Sequence, residues 1–254
     1  MGRSRANNLL IDNEVTPKQI KDENKQIIKD TMYSNVKVSA KNESQKELLI
    51  SIKENQITIC SGKAGSGKTF ISLGYALKLL KTQNNYYQKI YLVKSVTPLK
   101  GEELGFLKGD LKEKIDPYMS SFYINMEKLI SKNDMNSLML NDIIRPYPLT
   151  YLRGASLDNA IIIVDEAQNI SMDNARTILT RIGENSKMIL LGDSNQIDLK
   201  YKGNSCLYKL ISLFKDTNEI GTITMNENDI NVRNPIIDMI EKKFDTLKEY
   251  KDEK

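Results

Sequence analysis

Residues 60–69 read CSGKAGSGKT, and the spacing Gly62-x-x-x-x-Gly67-Lys68-Thr69 suits one kind of chemistry, the grip on a chain of phosphates. Glycines at 62, 65 and 67 let backbone N–H groups crowd round a polyanion with no Cβ in the way, and Ala64 and Ser66 complete the turn. A helix opening at Lys68 adds its positive N-terminal end. The Lys68 ammonium can reach β- and γ-phosphates, and the Thr69 hydroxyl can join the shell of a Mg²⁺ ion. A glycine-rich turn without a ligand could share these letters, but it needs no strand before it and no helix after it. QITIC (56–60) and FISLGYALKLL (70–80) supply both.

Two later stretches offer partners for such a loop. AIIIVDEAQN (160–169) reads as a buried strand with Asp165 at its carboxyl end, where ligands of doubly wound sheets sit. Asp165 can hold the water shell of a Mg²⁺ ion. The chain has no histidine, so acid–base work falls to carboxylates, and Glu166 is the candidate general base for an attacking water. Two solvated acids at a strand end would look alike in isolation; their place downstream of a phosphate loop favours the catalytic reading. MILLGDSNQID (188–198) is a second apolar strand ending in Gly-Asp. Gln196 there could touch a γ-phosphate or its water, although Gly-Asp-Ser-Asn is also ordinary turn chemistry. Asn195-Gln196-Ile197-Asp198 lacks the lysine of the guanine-reading N-K-x-D pattern, and Asp-Glu-Ala-Gln is not a D-x-x-G switch. A GTPase is therefore a minor alternative.

The elements that must position these residues follow from periodicity. Helices are expected over 44–54 (opened by a Ser44-x-x-Glu47 capping box), 68–81, near 110–132, and over 172–183, 204–214 and 234–250. Strands are expected over 56–60, 89–93, 160–164, 187–191 and 219–225. Such alternation predicts an α/β fold, a mostly parallel sheet with helices on both faces. One domain is expected over 39–254, after a flexible polar arm over 1–38 with a short helix around 17–30. The connection 94–110 is long enough to be functional.

Composition sets bounds. The chain has 254 residues, 40% of them hydrophobic, enough for a sizeable core. No run approaches the roughly 18 apolar residues of a membrane span, and MGRSRANNLLIDNEVT shows neither a secretory nor a myristoylation signal. The expectation is a soluble, cytoplasmic protein without a membrane partner. Net charge is only +4, so bulk electrostatics does not announce nucleic acid. Seven arginines stand against thirty lysines, which makes an internal arginine a marker for bidentate contact. Cys60 and Cys206 have no metal-ligand spacing and read as inert core thiols.

The segments GKAGSGKTF (62–70), GEELGFLKGDLKEKIDPY (101–118), YLRGASLDNAIIIVDEAQN (151–169), LTRIGENSKMILLGDSNQIDL (179–199) and VRNPI (232–236) together resemble the PhoH-like family of P-loop ATPases. The resemblance implies a RecA-like core akin to the first motor domain of superfamily 1 helicases. It also implies cytoplasmic ATP hydrolysis and a role in RNA or other nucleic-acid metabolism. Gln45 matches the family's adenine-side glutamine, though an exposed helix residue reads the same. The chain departs from the family near Lys94 and Ser95, where an Arg-Pro pair is expected, and at Lys108, where proline is common.

The resulting expectation is a Mg²⁺-dependent ATPase that binds or remodels nucleic acid, with single-stranded RNA favoured. Its alternatives are a nucleotide-controlled interaction protein with little turnover and a small-molecule P-loop kinase. About 55 residues follow Gln196, too few for a second motor domain, so a charge-stabilising arginine must come from this domain or a neighbouring copy. Arg233 and Arg181 are the candidates, and the resemblance favours a hexameric ring. For nucleic acid the expected surface is Lys94, Lys100 and Lys108 in one loop with Arg145, Tyr147, Tyr151 and Arg153 in another. Packing tyrosines and solvated lysines are the plain alternative.

Overall fold

The computed structural model describes residues 17–31, 36–83, 86–95, 111–154 and 156–226, with a few single positions from 234 to 243. Lys100, Lys108, Arg233 and most of the helix expected over 234–250 lie outside the described residues.

Among the described residues six strands form one sheet: β1 (Ile57–Ser61), β2 (Lys89–Lys94), β3 (Ile144–Pro146), β4 (Ala160–Asp165), β5 (Lys187–Gly192) and β6 (Ile220–Thr224). Every pairing is parallel, in the order β3-β2-β4-β5-β1-β6. β4 and β5 are buried along their whole length, as strands covered on both faces must be, which explains why AIIIVD and KMILLG read as continuous apolar runs. Alternate side chains serve two cores. Cys60, Leu92, Ile161, Ile163, Ile189 and Leu191 face α2 (Glu43–Glu54), α3 (Lys68–Thr82), α4 (Leu111–Glu127) and α5 (Lys132–Leu140). Ile59, Val93, Ile162, Val164, Met188 and Leu190 face α6 (Met172–Leu179) and α7 (Leu207–Phe214). The result is the expected α/β fold, a parallel sheet with helices on both faces.

Three local expectations shift. Within the polar arm, Pro17–Thr31 forms helix α1, and its Ile28 is fully buried in the first core. One apolar stripe against the body suffices to dock an otherwise charged segment. The cap of α2 is Asn42, whose Oδ1 accepts the Gln45 N–H at 2.9 Å; Ser44 points inward and accepts the Asn226 N–H at 3.0 Å. β3, read as part of a loop, adds a short edge strand against β2. Both cysteines are buried, and burial pushes each thiol up to about 12, in keeping with inert core residues.

Lys187 opens β5 inside the protein, where its ammonium donates to the Asn55 carbonyl. Burial pulls it down from 10.5 to about 8. The unfolded chain then holds the extra proton between those values, so stability should rise as pH climbs from about 8 to 10.5. Lys187→Met should melt no lower than the natural protein at pH 7, with a gain on the order of 1 kcal/mol. The difference should vanish near the upper end of that window. Thermal melts of both proteins across this range check the idea; a difference that does not change with pH overturns it.

Candidate nucleotide site

β1 delivers the glycine-rich loop at the carboxyl edge of the sheet. The Gly62 N–H is bonded to the Gly192 carbonyl at 3.0 Å, tying the loop to the end of β5. A Cβ on Gly62 would lie 2.9 Å from that of Met225, so only glycine lets the chain after β6 pass this close. Gly67 sits at the start of α3 in left-handed geometry, φ 86°, and no side chain caps the helix. The first N–H groups of α3 are thus left for an outside acceptor, which an anion satisfies best. Lys68 is buried and folded back: its Nζ donates to the carbonyls of Gly62 at 2.5 Å and Lys63 at 2.9 Å and to Ser66 Oγ at 3.3 Å. A phosphate chain would draw it forward by offering charge in place of dipoles.

Across the loop lies a carboxylate pair. Thr69 Oγ1 donates to Asp165 Oδ2 at 3.2 Å. Burial, then the Glu166 carboxylate beside it, push the Asp165 carboxyl above its usual range, while the Lys94 and Lys68 charges and the Glu166 N–H pull it back. A buried carboxylate under this pressure is relieved by a cation. Paired with the Thr69 hydroxyl, it offers the two hard oxygen ligands that Mg²⁺ takes from a protein when phosphates and water supply the rest. Among the described residues no three acids, cysteines or histidines gather as a metal-binding group.

Glu166 adopts φ 57°, a left-handed conformation. Among the described residues the other non-glycine cases are Asp142, Asn159 and Asn185, types that tolerate it; a glutamate there is held by its surroundings. Gln168 orients the Glu166 carboxylate. Its Nε2 donates to Glu166 Oε2 at 2.7 Å and to the Gln196 carbonyl at 3.1 Å, and its Oε1 accepts the Asp193 N–H at 3.0 Å. Asp193 in turn accepts the Ala64 N–H at 3.0 Å and the Asn195 N–H at 2.9 Å. The loop, the acid pair and the Gln196 turn are therefore one bonded unit. Gln168 stood inside a motif that the sequence singled out, yet nothing local marked it as the hub.

Most expected site residues come together: Gly62, Ala64, Gly65, Ser66, Gly67, Lys68, Thr69, Asp165, Glu166 and Gln196. Gln45 joins them in an unexpected way. It is only 2% exposed, so it is not a surface helix residue. Its amide donates to the Ser66 carbonyl at 2.8 Å and accepts the Lys41 N–H at 2.8 Å, bracing the loop from behind. Lys94 also moves. Expected to meet a nucleic-acid backbone, it is paired with Asp165 in the β2–β4 register and lies 4.0 Å from Glu166 and 3.1 Å from Ser121 Oγ. It belongs to the acid cluster. Arg181 does not reach its own loop. Its carbonyl accepts the Leu157 N–H, ahead of β4, at the amino end of the strands and about 20 Å away by strand length.

The sequence profile of the PhoH-like protein family matches residues 37–245. The chain belongs to the PhoH-like family. A PhoH-like protein of Bacillus subtilis is 37% identical over 208 residues, covering 82% of this chain and 64% of the relative. A PhoH-like protein of Synechocystis is 36% identical over 203 residues, covering 80% and 61%. This PhoH-like chain thus spans under two thirds of the length of these relatives. Among solved structures, the UvsW helicase of bacteriophage T4 aligns with 84% of the chain and 68% of its own at 14% identity, with a TM-score of 0.44. Among the described residues no helix is long and apolar enough to cross a membrane.

Proposed function

We propose that this PhoH-like domain hydrolyses ATP with Mg²⁺ and couples hydrolysis to binding or remodelling of nucleic acid, single-stranded RNA first. The observation that carries the reading is the Asp165–Glu166 pair facing the phosphate loop, joined to it through Thr69 at 3.2 Å. The loop N–H groups and Lys68 hold the phosphates. Thr69 and Asp165 hold Mg²⁺, which when bound neutralises charge on the phosphate oxygens. Glu166 takes the proton of the attacking water, with Gln168 fixing its carboxylate. Gln196 passes the state of the site to the turn that carries it.

Nucleic acid is favoured by family membership and by a cluster at the β3 edge. Tyr91, Tyr147 and Tyr151 meet edge to face at 5.2 and 6.2 Å, with the Arg145 guanidinium 5.6 Å from the Tyr147 ring centre. Tyr151 is 51% exposed and offers a face for a base to stack on. Tyr147 packs partly against the second core, so packing claims part of the cluster. We also propose a head-to-tail ring, a hexamer, in which an arginine of one copy completes the neighbour's site. Arg181, at the far end of the strands, suits a role toward a neighbour only, and Arg233 is the other candidate.

The test is phosphate release measured with no added acceptor, then with RNA, single-stranded DNA and duplex at several salt concentrations. Stimulation by single strands that fades steeply with salt supports the reading. Tyr151→Ala should weaken single-strand binding by anisotropy roughly fivefold or more. Negligible release unmoved by any nucleic acid overturns it in favour of a nucleotide-controlled interaction protein. Release only with a small-molecule acceptor points to a kinase. Light scattering with Mg-ATP at micromolar protein checks the ring, and a monomer removes it.

A further inference from the structure

Among the described residues, the two carboxylates at the end of β4 keep one oxygen without a hydrogen bond. Asp165 Oδ1 accepts the Glu166 N–H at 3.1 Å, and Oδ2 accepts the Thr69 hydroxyl at 3.2 Å. Glu166 Oε2 accepts the Gln168 amide at 2.7 Å. Glu166 Oε1 is left, and the Lys94 ammonium faces it at 4.0 Å. That distance is too long for a hydrogen bond and still within the reach of an ion pair. Lys94 therefore steers Oε1 without occupying the lone pairs that would take a proton.

Lys94 is itself held. It closes β2, and its Cα is paired with that of Asp165 in the β2–β4 register. The Ser95 N–H bonds to the Asp165 carbonyl at 3.0 Å, which ties the two strand ends together just past Lys94. Strand alternation turns Lys94 to the same face as Leu92, the face that α4 covers. There its Nζ donates to Ser121 Oγ at 3.1 Å. The Lys94 side chain is 19% exposed against 39% for Glu166, so the cation is the more sheltered partner. The plain alternative is a surface ion pair, which joins two freely moving side chains and contributes little. Here neither chain moves freely, since Ser121 holds one and Gln168 holds the other. Two fixed groups that face each other across a gap suit the aiming of a base.

We infer that Glu166 Oε1 is the atom that takes the proton, and that Lys94 is a positioning residue that keeps it turned toward the attacking water. The inference rests on the ATP reading above. One O–H bond of the water breaks, and its proton goes to Oε1. The water oxygen bonds the γ-phosphorus, and the electron pair of the broken P–O bond leaves with ADP. Single-turnover hydrolysis and Mg-ATP binding are measured on the full chain for the natural protein, Lys94→Met, Glu166→Gln and the double variant. Lys94→Met should hydrolyse about ten- to a hundredfold more slowly, the scale of loss when a reacting group is misplaced. Its Mg-ATP affinity should stay within about threefold, since Lys94 faces Glu166 and Ser121 rather than the phosphate loop. The double variant should be no slower than Glu166→Gln alone, because Lys94 acts only through the carboxylate that the amide has replaced. Natural-rate hydrolysis by Lys94→Met, an equal loss of Mg-ATP affinity, or losses that multiply in the double variant overturn the inference and leave the ATP reading standing. No hydrolysis by the natural protein, or a natural rate in Glu166→Gln, overturns that reading and this inference with it. Thermal melts verify folding, and Lys94→Ala repeats the test if the Met variant fails them.

Discussion

Glu166→Gln is expected to hold Mg-ATP as well as the natural protein does and to hydrolyse it about 10²–10⁴-fold more slowly. The amide is nearly the same size, and its oxygen can still accept the Gln168 hydrogen bond that now reaches Glu166 Oε2 at 2.7 Å. Geometry is therefore kept while the proton acceptor is lost. A second consequence follows from electrostatics. Glu166 is one of the causes that push the Asp165 carboxyl upward, second to burial. Neutralising it makes Asp165 easier to ionise, so affinity for the Mg²⁺ complex should stay or tighten. Single-turnover hydrolysis and equilibrium binding, measured together, separate the two effects. Turnover at the natural rate would remove Glu166 as the base.

Lys68→Ala should remove tight Mg-ATP binding. The ammonium is the main point charge available to the phosphates, and it is buried, so the loss is not screened by water. Truncating one partner of a buried, hydrogen-bonded charge pair costs about 2–5 kcal/mol, which corresponds to about 30- to 4,000-fold in affinity. The empty loop should feel the change as well. Gly62 and Lys63 carbonyls and Ser66 Oγ now take donors from Lys68 and would have to find water. A modest drop in melting temperature is expected alongside the binding defect. Titration with a fluorescent ATP analogue checks the first effect, and a loss of less than threefold would contradict the placement of Lys68 on the phosphates.

These two side chains were legible in the sequence because their signals are local. A phosphate loop needs its glycines, lysine and threonine at fixed spacing, since consecutive backbone N–H groups must curve round one anion. A carboxylate at the end of a buried apolar strand announces itself in the same way, and strands covered on both faces must read as unbroken apolar runs. So the loop, the acid pair and the alternation that makes a parallel sheet were all visible in order along the chain. Strand order and register were not, because they depend on which distant segments share a core. The β2–β4 register moved Lys94 from an expected nucleic-acid contact to the side of Asp165. The chain reversal between β4 and β5 left Arg181 at the end of the sheet away from its own loop. Gln168 became the hub only when the ends of β4 and β5 met, close enough that a Cβ on Gly192 would lie 2.5 Å from its Oε1. Asn42 displaced Ser44 as the cap of α2 because Ser44 is needed by Asn226, far along the chain. Chemistry that one turn or one strand end can carry is written in neighbouring residues; chemistry assembled across the sheet is decided by packing.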